Sequence, residues 1–174
     1  MKKILVLLVA LCASVIVSAQ AFIKPVSGSL DEIKHSGKSN CVIEWDYSHQ
    51  TIDKIPVKDY FAKKGTAAQK EYAEECVDAE DNFEYFLKSK YLRPVSHRDA
   101  AKYVIKVKMG NYRFDDCIIS CRLEFYRVGQ KKPFAVYNAD KVPGASDIWD
   151  KSRLRNAYVL LALNIKAAIR NIED

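Results

Sequence analysis

One long amphipathic helix constrains the fold of this chain more than any other feature of the sequence. From Thr66 to about Lys90, apolar side chains recur at spacings of three and four residues, and acidic side chains fill much of the remaining surface. The alternation of apolar and polar residues predicts a half-buried strand before this helix, at residues 40–47. The same signal predicts three strands after it, at residues 101–114, 117–128 and 134–139.

The order of these elements predicts an α+β fold. A second long helix, with one apolar stripe, is predicted from Ser146 or Asp147 to about Ile172, and a short one from Val57 to Lys64. The long helix lies between the first and second predicted strands in sequence, so the chain must cross from one strand to the other through it. This favours a parallel pairing of the two strands with a right-handed connection. We therefore expect a two-layer sandwich: a mixed four-stranded sheet, in the order strand-helix-strand-strand-strand-helix, with two long helices on one face.

The first twenty residues have the pattern of a secretory signal peptide. Lys2 and Lys3 precede an apolar run, and small residues then offer cleavage sites after Ala19 or Ala21. The run is too short for a comfortable membrane span, so an uncleaved anchor is the weaker alternative. Cleavage would lower the formal net charge from +6 to +4, because it removes two lysines. We expect a periplasmic or secreted protein with no transmembrane segment in the mature chain.

The mature chain of about 150 residues suits one domain. Residues 21–39 mix proline, glycine, serine and lysine, which indicates an N-terminal arm or, alternatively, an ordered edge piece of the domain. Residues 40–174 are predicted to form a single α+β domain. Its charge is mild, and export makes nucleic acid an unsuitable partner.

The sequence contains no pattern that indicates catalysis, a cofactor or a metal site. His35, His49 and His97 are scattered over predicted loops without metal-ligand spacing. Neither a nucleophile elbow nor a phosphate-binding glycine loop is present. We therefore expect a non-enzymatic protein. The alternative is an exported hydrolase with a loop-built site, from residues such as His97, Asp115 and Asp116.

Four cysteines remain after removal of the signal peptide, and all four are predicted to point into one core. These residues are Cys41, Cys76, Cys117 and Cys121. They are either buried free thiols or members of one or two disulfides in an oxidising compartment. Cys117 and Cys121 cannot pair with each other, because four residues along one strand separate their Cα atoms by roughly 13 Å.

The sheet face turned away from the helices is the predicted partner-binding surface. Its candidate residues are Lys106, Lys108, Arg122, Glu124, Tyr126 and Tyr137. Arginine and tyrosine are enriched at protein interfaces. The alternative is a solvated open face, which antiparallel sheets tolerate.

Several stretches together resemble an uncharacterised family of small exported proteins of Bacteroidetes-type Gram-negative bacteria. They are the exported start MKKILVLLVALCASVIVSAQ, then SGSLDEIK, VIEWDYS, IDKIPVKDYFAKKG and AKYVIKVKMGNY. More loosely, the element order is similar to the α/β domains of envelope assembly proteins, such as curli secretion factors and the N-terminal domain of the Tol–Pal translocation protein. The resemblance implies an exported protein and carries over no catalytic residue.

These observations together predict a non-enzymatic exported envelope protein that binds a protein or glycan partner through the open sheet face. Two alternatives stay open: the exported hydrolase, and a homo-oligomeric structural component of the envelope in which the open face is buried between copies.

Overall fold

The computed structural model describes residues 22–144 and 153–171. The predicted signal peptide and the predicted start of the last helix lie outside these ranges. The strands are β1 (Ile23–Gly28), β2 (Ser39–Asp46), β3 (Thr51–Ile52), β4 (Ile55–Pro56), β5 (Leu92–Pro94), β6 (Tyr103–Arg113), β7 (Ile118–Arg127) and β8 (Ala135–Pro143). The helices are α1 (Asp31–His35), α2 (Val57–Lys64), α3 (Thr66–Leu87) and α4 (Arg153–Arg170).

All eight described strands belong to one mixed sheet. Its main path runs β1-β8-β7-β6-β2-β5, while β3 pairs with β6 and β4 pairs with β3. Strand β2 is parallel to β6, which confirms the predicted crossover through the long helix. The β6–β7 and β7–β8 pairs are antiparallel, as expected for a meander. The α+β class is thus confirmed.

The predicted count of four strands is too low. Strands β3, β4 and β5 have only two or three residues, so no alternating pattern can develop in them. Strand β1 is longer, but Pro25 and a bulge interrupt its pairing with β8. Short or proline-containing segments of this kind are typical of sheet edges, where they discourage pairing with another chain.

Residues 22–39 are an ordered edge of the domain, which is the second of the two interpretations given above. Strand β1 pairs with β8, and the following turn and helix α1 place Leu30 and Ile33 in the core, where neither side chain is exposed. Two fully buried side chains anchor this segment, because burying each one stabilises the fold by about 1.5–3 kcal/mol.

The two long helices pack against each other and cover one face of the sheet. Trp45 of β2 lies between them, with its ring centroid 5.0 Å from that of Phe83 on α3 and 5.1 Å from that of Tyr158 on α4. Phe83 and Tyr158 are fully buried. The apolar stripes predicted for the two long helices therefore meet over Trp45 on strand β2.

Helix α2 has the predicted bounds, since Pro56 precedes it and Gly65, at φ 94°, follows it. Helix α3 ends at Leu87, before the predicted Lys90, because Leu92 begins the short strand β5 beside β2. The periodicity of three and four residues would place Phe86 on the apolar stripe of this helix, but Phe86 is 37% exposed. None of the helices in the described ranges is long and apolar enough to cross a membrane.

The four cysteines of the described chain are free and buried. Burial raises the pKa of Cys41 and of Cys121 to about 12, and that of Cys76 to about 11. Cys117 lies in the β6–β7 turn, with φ 49°, instead of on the strand where it was predicted. These side chains act as small apolar groups of the core.

Candidate functional site

Five of the six predicted site residues lie together on the sheet face turned away from the helices. Along β6, alternate side chains from Tyr103 to Met109 enter the core, so Lys106 and Lys108 point the opposite way. Along β7 the same alternation sends Arg122, Glu124 and Tyr126 to that face. We call these five residues the open-face cluster.

The sixth residue, Tyr137, was assigned to the wrong face. Tyr137 pairs with Leu123 and lies in the core, where its ring centroid is 5.9 Å from that of Phe125. Val136 instead pairs with Glu124 on the open face. A shift of one residue turns every side chain of a strand over. The sequence could not fix this register, because Val136 and Tyr137 are both apolar enough to be buried, and both are.

Glu124 is the centre of the open-face cluster. Its carboxylate accepts a 2.6 Å hydrogen bond from the hydroxyl of Tyr126 and a 3.0 Å hydrogen bond from Nε of Arg122. Nζ of Lys108, on the neighbouring strand, lies 2.9 Å from Oε2. Glu124 is only 5% exposed, whereas the side chains of Lys108 and Arg122 keep 40% and 44% of their surface exposed. One buried acceptor therefore fixes three donors that still face solvent.

The hydrogen bonds decide the ionisation of this cluster. Burial by itself raises the pKa of Glu124, but the donors Tyr126, Lys108 and Arg122 outweigh it and hold the pKa below its usual value. Burial and the hydrogen bond to Glu124 raise the pKa of Tyr126 to about 12. At neutral pH the centre is thus a carboxylate that accepts from a neutral phenol and two cations.

Two further ion pairs lie on the same face, on strand β2. Glu44 is 2.9 Å from Nη1 of Arg98, which reaches over from the 3₁₀ turn Arg98–Ala100. Asp46 is 3.5 Å from Nζ of Lys106. Glu44 and Asp46 of β2, like Glu124 of β7, are thus each paired with a base.

The register brings basic residues into one row across four of the strands. Lys108 pairs with Arg122, Arg122 with Asn138, and Asn138 with Lys24 of the edge strand β1. Residues paired across neighbouring strands share one face of the sheet. The open face therefore combines a basic row of three cations with acidic side chains on the β2 side, an arrangement that can recognise a surface carrying both signs of charge.

A second candidate site, which the sequence did not reveal, is a cleft of about 370 Å³ beside helix α2. Five aromatic rings line it: Tyr60, Phe61, Tyr72, Tyr112 and Phe114. The five residues come from two helices, the end of a strand and a turn, and span more than fifty positions in sequence. Only the tertiary fold brings them together.

The residues suggested for a loop-built hydrolase site are not brought together. His97 is exposed and directly precedes the 3₁₀ turn at the start of β6. Asp115 and Asp116 lie in the turn after the end of β6, where Asp116 pairs with Arg113. The eleven residues of β6 separate the two ends by roughly 33 Å, which is too far for a shared active site.

The described part of the chain contains no group of three or more His, Cys, Asp or Glu side chains placed to hold a metal ion. His35 and His49, like His97, are exposed.

Comparison with protein families and with characterised proteins finds no match for this chain. Among solved structures, the chain is similar to a PelC dodecamer from Paraburkholderia phytofirmans, with 12% sequence identity and a TM-score of 0.49. The match covers 87% of this chain and 98% of PelC. A single-substitution variant of that PelC dodecamer, from the same organism, matches with 14% identity and a TM-score of 0.47 over 84% of this chain and 97% of its own.

Proposed function

We propose that this chain is a non-enzymatic exported envelope protein that binds a protein partner through the open sheet face. The observation that carries the proposal is the arrangement around Glu124, whose buried carboxylate holds Arg122, Lys108 and Tyr126 in place. Export follows from the predicted signal peptide. The resemblance to small exported proteins of Bacteroidetes-type bacteria supports the same compartment.

The fixed donors favour binding. Ordering a free long side chain at an interface costs about 0.5–1.5 kcal/mol, and Arg122 and Lys108 are already held by Glu124 before any partner arrives. Arg122 and Tyr126 are also of the residue types most often responsible for binding energy. The exposed parts of these side chains therefore form a contact surface that is organised in advance.

The chemistry of the face favours a protein over a glycan. The face is an extended sheet surface that carries both signs of charge, with Arg98, Lys106, Lys108 and Arg122 opposed by acidic groups. Complementary patterns of both signs are a feature of protein–protein recognition. Small-molecule and sugar-sized ligands prefer concave sites.

Sedimentation with isolated cell envelopes tests this proposal. The exported protein should bind envelopes saturably, and Arg122→Ala should weaken this binding at least about tenfold. The matched control is Arg170→Ala, which removes an exposed arginine at the end of α4, on the opposite layer. Equal binding by both variants, or no saturable binding by the native protein, would refute the proposal.

A homo-oligomer remains the second candidate, because a surface with both signs of charge can also complement a second copy of itself. Light scattering on the purified protein distinguishes the two. A monomer that binds envelopes supports a different protein as the partner, and an oligomer that Arg122→Ala dissociates supports a second copy.

A further inference from the structure

The aromatic cleft beside helix α2 has no role in the function proposed above. We propose that this cleft binds a neutral saccharide, at a site separate from the open sheet face. The proposal rests on the aromatic lining, the size of the cleft and the balance of charges at its rim.

The five rings of the cleft form a closed circle of contacts. The ring centroids of Tyr60 and Phe61 are 5.2 Å apart, and those of Phe61 and Tyr72 are 5.4 Å apart. Tyr72 continues to Tyr112 at 6.0 Å, and Tyr112 to Phe114 at 5.9 Å. A distance of 6.5 Å from Phe114 back to Tyr60 closes the circle. All five spacings lie in the range of favourable aromatic pairs.

The size and position of the cleft suit a small ligand. Its volume of about 370 Å³ lies within the usual range of small-molecule sites, about 300–1,000 Å³. Gly65 allows the chain to turn between α2 and α3 with φ 94°, which brings Phe61 and Tyr72 to the same side. Phe114 is 50% exposed in the β6–β7 turn, so a ligand in the cleft would bury apolar surface that is now in contact with water.

The rim of the cleft carries charges that cancel. Lys64 and Arg153 supply two positive charges, and Glu71 and Glu75 supply two negative charges. A balanced rim does not select a strongly charged ligand. A sugar fits it, because a hydroxyl can donate a hydrogen bond to the carboxylate of Glu71 and accept one from the ammonium group of Lys64. Phe61, Tyr72 and Tyr112 are buried and form the floor of the cleft, so the apolar C–H face of a sugar ring can pack on the exposed parts of Tyr60 and Phe114.

A quaternary ammonium is the main competing ligand, since aromatic cages bind such cations. One feature of this cleft disfavours it, because Nζ of Lys64 already lies 5.9 Å from the ring centroid of Tyr60, where it occupies a cation site.

Titration followed by two-dimensional amide NMR tests the proposal on the protein purified after export. The probes are cellotetraose and chitotetraose as neutral saccharides, tetragalacturonate as an anionic one, and choline as a cation. We expect at least one neutral probe to shift the amides of residues 60–75 and 110–117 saturably. Shifts caused only by choline or only by tetragalacturonate would overturn the proposal, and so would shifts confined to other residues or none.

Variants locate the site. Phe114→Ala should weaken the binding of the neutral saccharide about tenfold, because it removes one exposed ring of the lining. Tyr85→Ala, which removes an exposed ring outside the cleft, should leave the affinity unchanged. Arg122→Ala should also leave it unchanged, so that failure here and failure of the open-face proposal are separate results. An equal loss in Phe114→Ala and Tyr85→Ala would contradict the assignment.

Discussion

The hydroxyl of Tyr126 donates a 2.6 Å hydrogen bond to the carboxylate of Glu124, two residues earlier on strand β7. Residues two apart on a strand share a face, so this bond lies along the open sheet surface. Glu124 is nearly buried while Tyr126 is partly exposed. The pair thus joins a buried anchor to a residue that a partner can reach.

Replacing Glu124 by glutamine should destabilise the protein by about 1–3 kcal/mol at pH 7. The amide keeps one acceptor oxygen but directs an NH₂ group at the donors that the carboxylate served. Unfolding in urea at pH 7 measures the change. Glu74→Gln is the control, since the Glu74 side chain is 70% exposed, and its effect should be within about 0.5 kcal/mol.

The stability difference between the native protein and Glu124→Gln should depend on pH. The pKa of Glu124 is lowered in the folded state, so its contribution is present above the unfolded value of about 4.3 and is lost as the pH falls through the folded pKa. The stability difference between the native protein and Glu124→Gln should therefore shrink below about pH 4. A difference that stays constant from pH 7 to pH 3 would show that Glu124 carries no depressed pKa.

Glu80 should show the opposite dependence. Burial raises its pKa despite a 2.5 Å hydrogen bond from the hydroxyl of Tyr47, so folding favours the neutral acid. Its contribution is present below the unfolded pKa and is lost as the pH rises through the folded one. Glu80→Gln, which keeps an acceptor for Tyr47, should raise the thermal midpoint at pH 7 but not at pH 3.5. We expect a gain below about 1 kcal/mol, because the carboxylate is only half-buried.

The buried thiols predict slow chemical modification. Burial raises the pKa of Cys41 and Cys121 to about 12, so almost no thiolate is present at pH 8. Ellman's reagent should react slowly with the native protein after export and rapidly with four thiols in guanidinium chloride. Fewer than four reactive thiols in the denatured protein would indicate a disulfide and contradict this account.

Because Trp45 and Phe83 are in contact in the core, truncation of the Phe83 side chain should cause a large loss of stability. Phe83 is fully buried and packs helix α3 against Trp45 of strand β2. Phe83→Ala should therefore lower the free energy of unfolding by about 3–5 kcal/mol. Tyr85→Ala, two residues away but 66% exposed, is the matched control and should cost far less. Urea unfolding of both variants measures the difference. Similar losses of stability in the two variants would contradict a core role for the contact between Trp45 and Phe83.

Strong periodicity and clear stop signals made much of the fold predictable. Helix α2 has the expected bounds because Pro56 and Gly65 flank it, and the parallel β2–β6 pair follows from the intervening long helix. The register of β8 could not be predicted, because Val136 and Tyr137 are both suited to burial. Strand β5 has three residues and no pattern of its own.

The two candidate sites also differ in how far the sequence predicts them. The open-face cluster could be predicted from the alternation along β6 and β7, although its centre at Glu124 could not, since pairing across strands decides which carboxylate is buried. The aromatic cleft could not be predicted at all. Tyr60 and Phe114 are far apart in sequence, and neither belongs to a recognisable motif.

Photo-cross-linking from position 138 in living cells tests the central claim most directly. Asn138 pairs with Arg122 on the open sheet face, so a probe there leaves Arg122 and its contact to Glu124 in place. A photoreactive amino acid replaces Asn138 in one strain and Arg170 in another, and the products are separated by size after irradiation. We predict one discrete adduct with another envelope protein from position 138 and none from position 170. No adduct from position 138, the same adducts from both positions, or an adduct of only twice the protein's own mass would contradict the proposal of a distinct protein partner on the open sheet face.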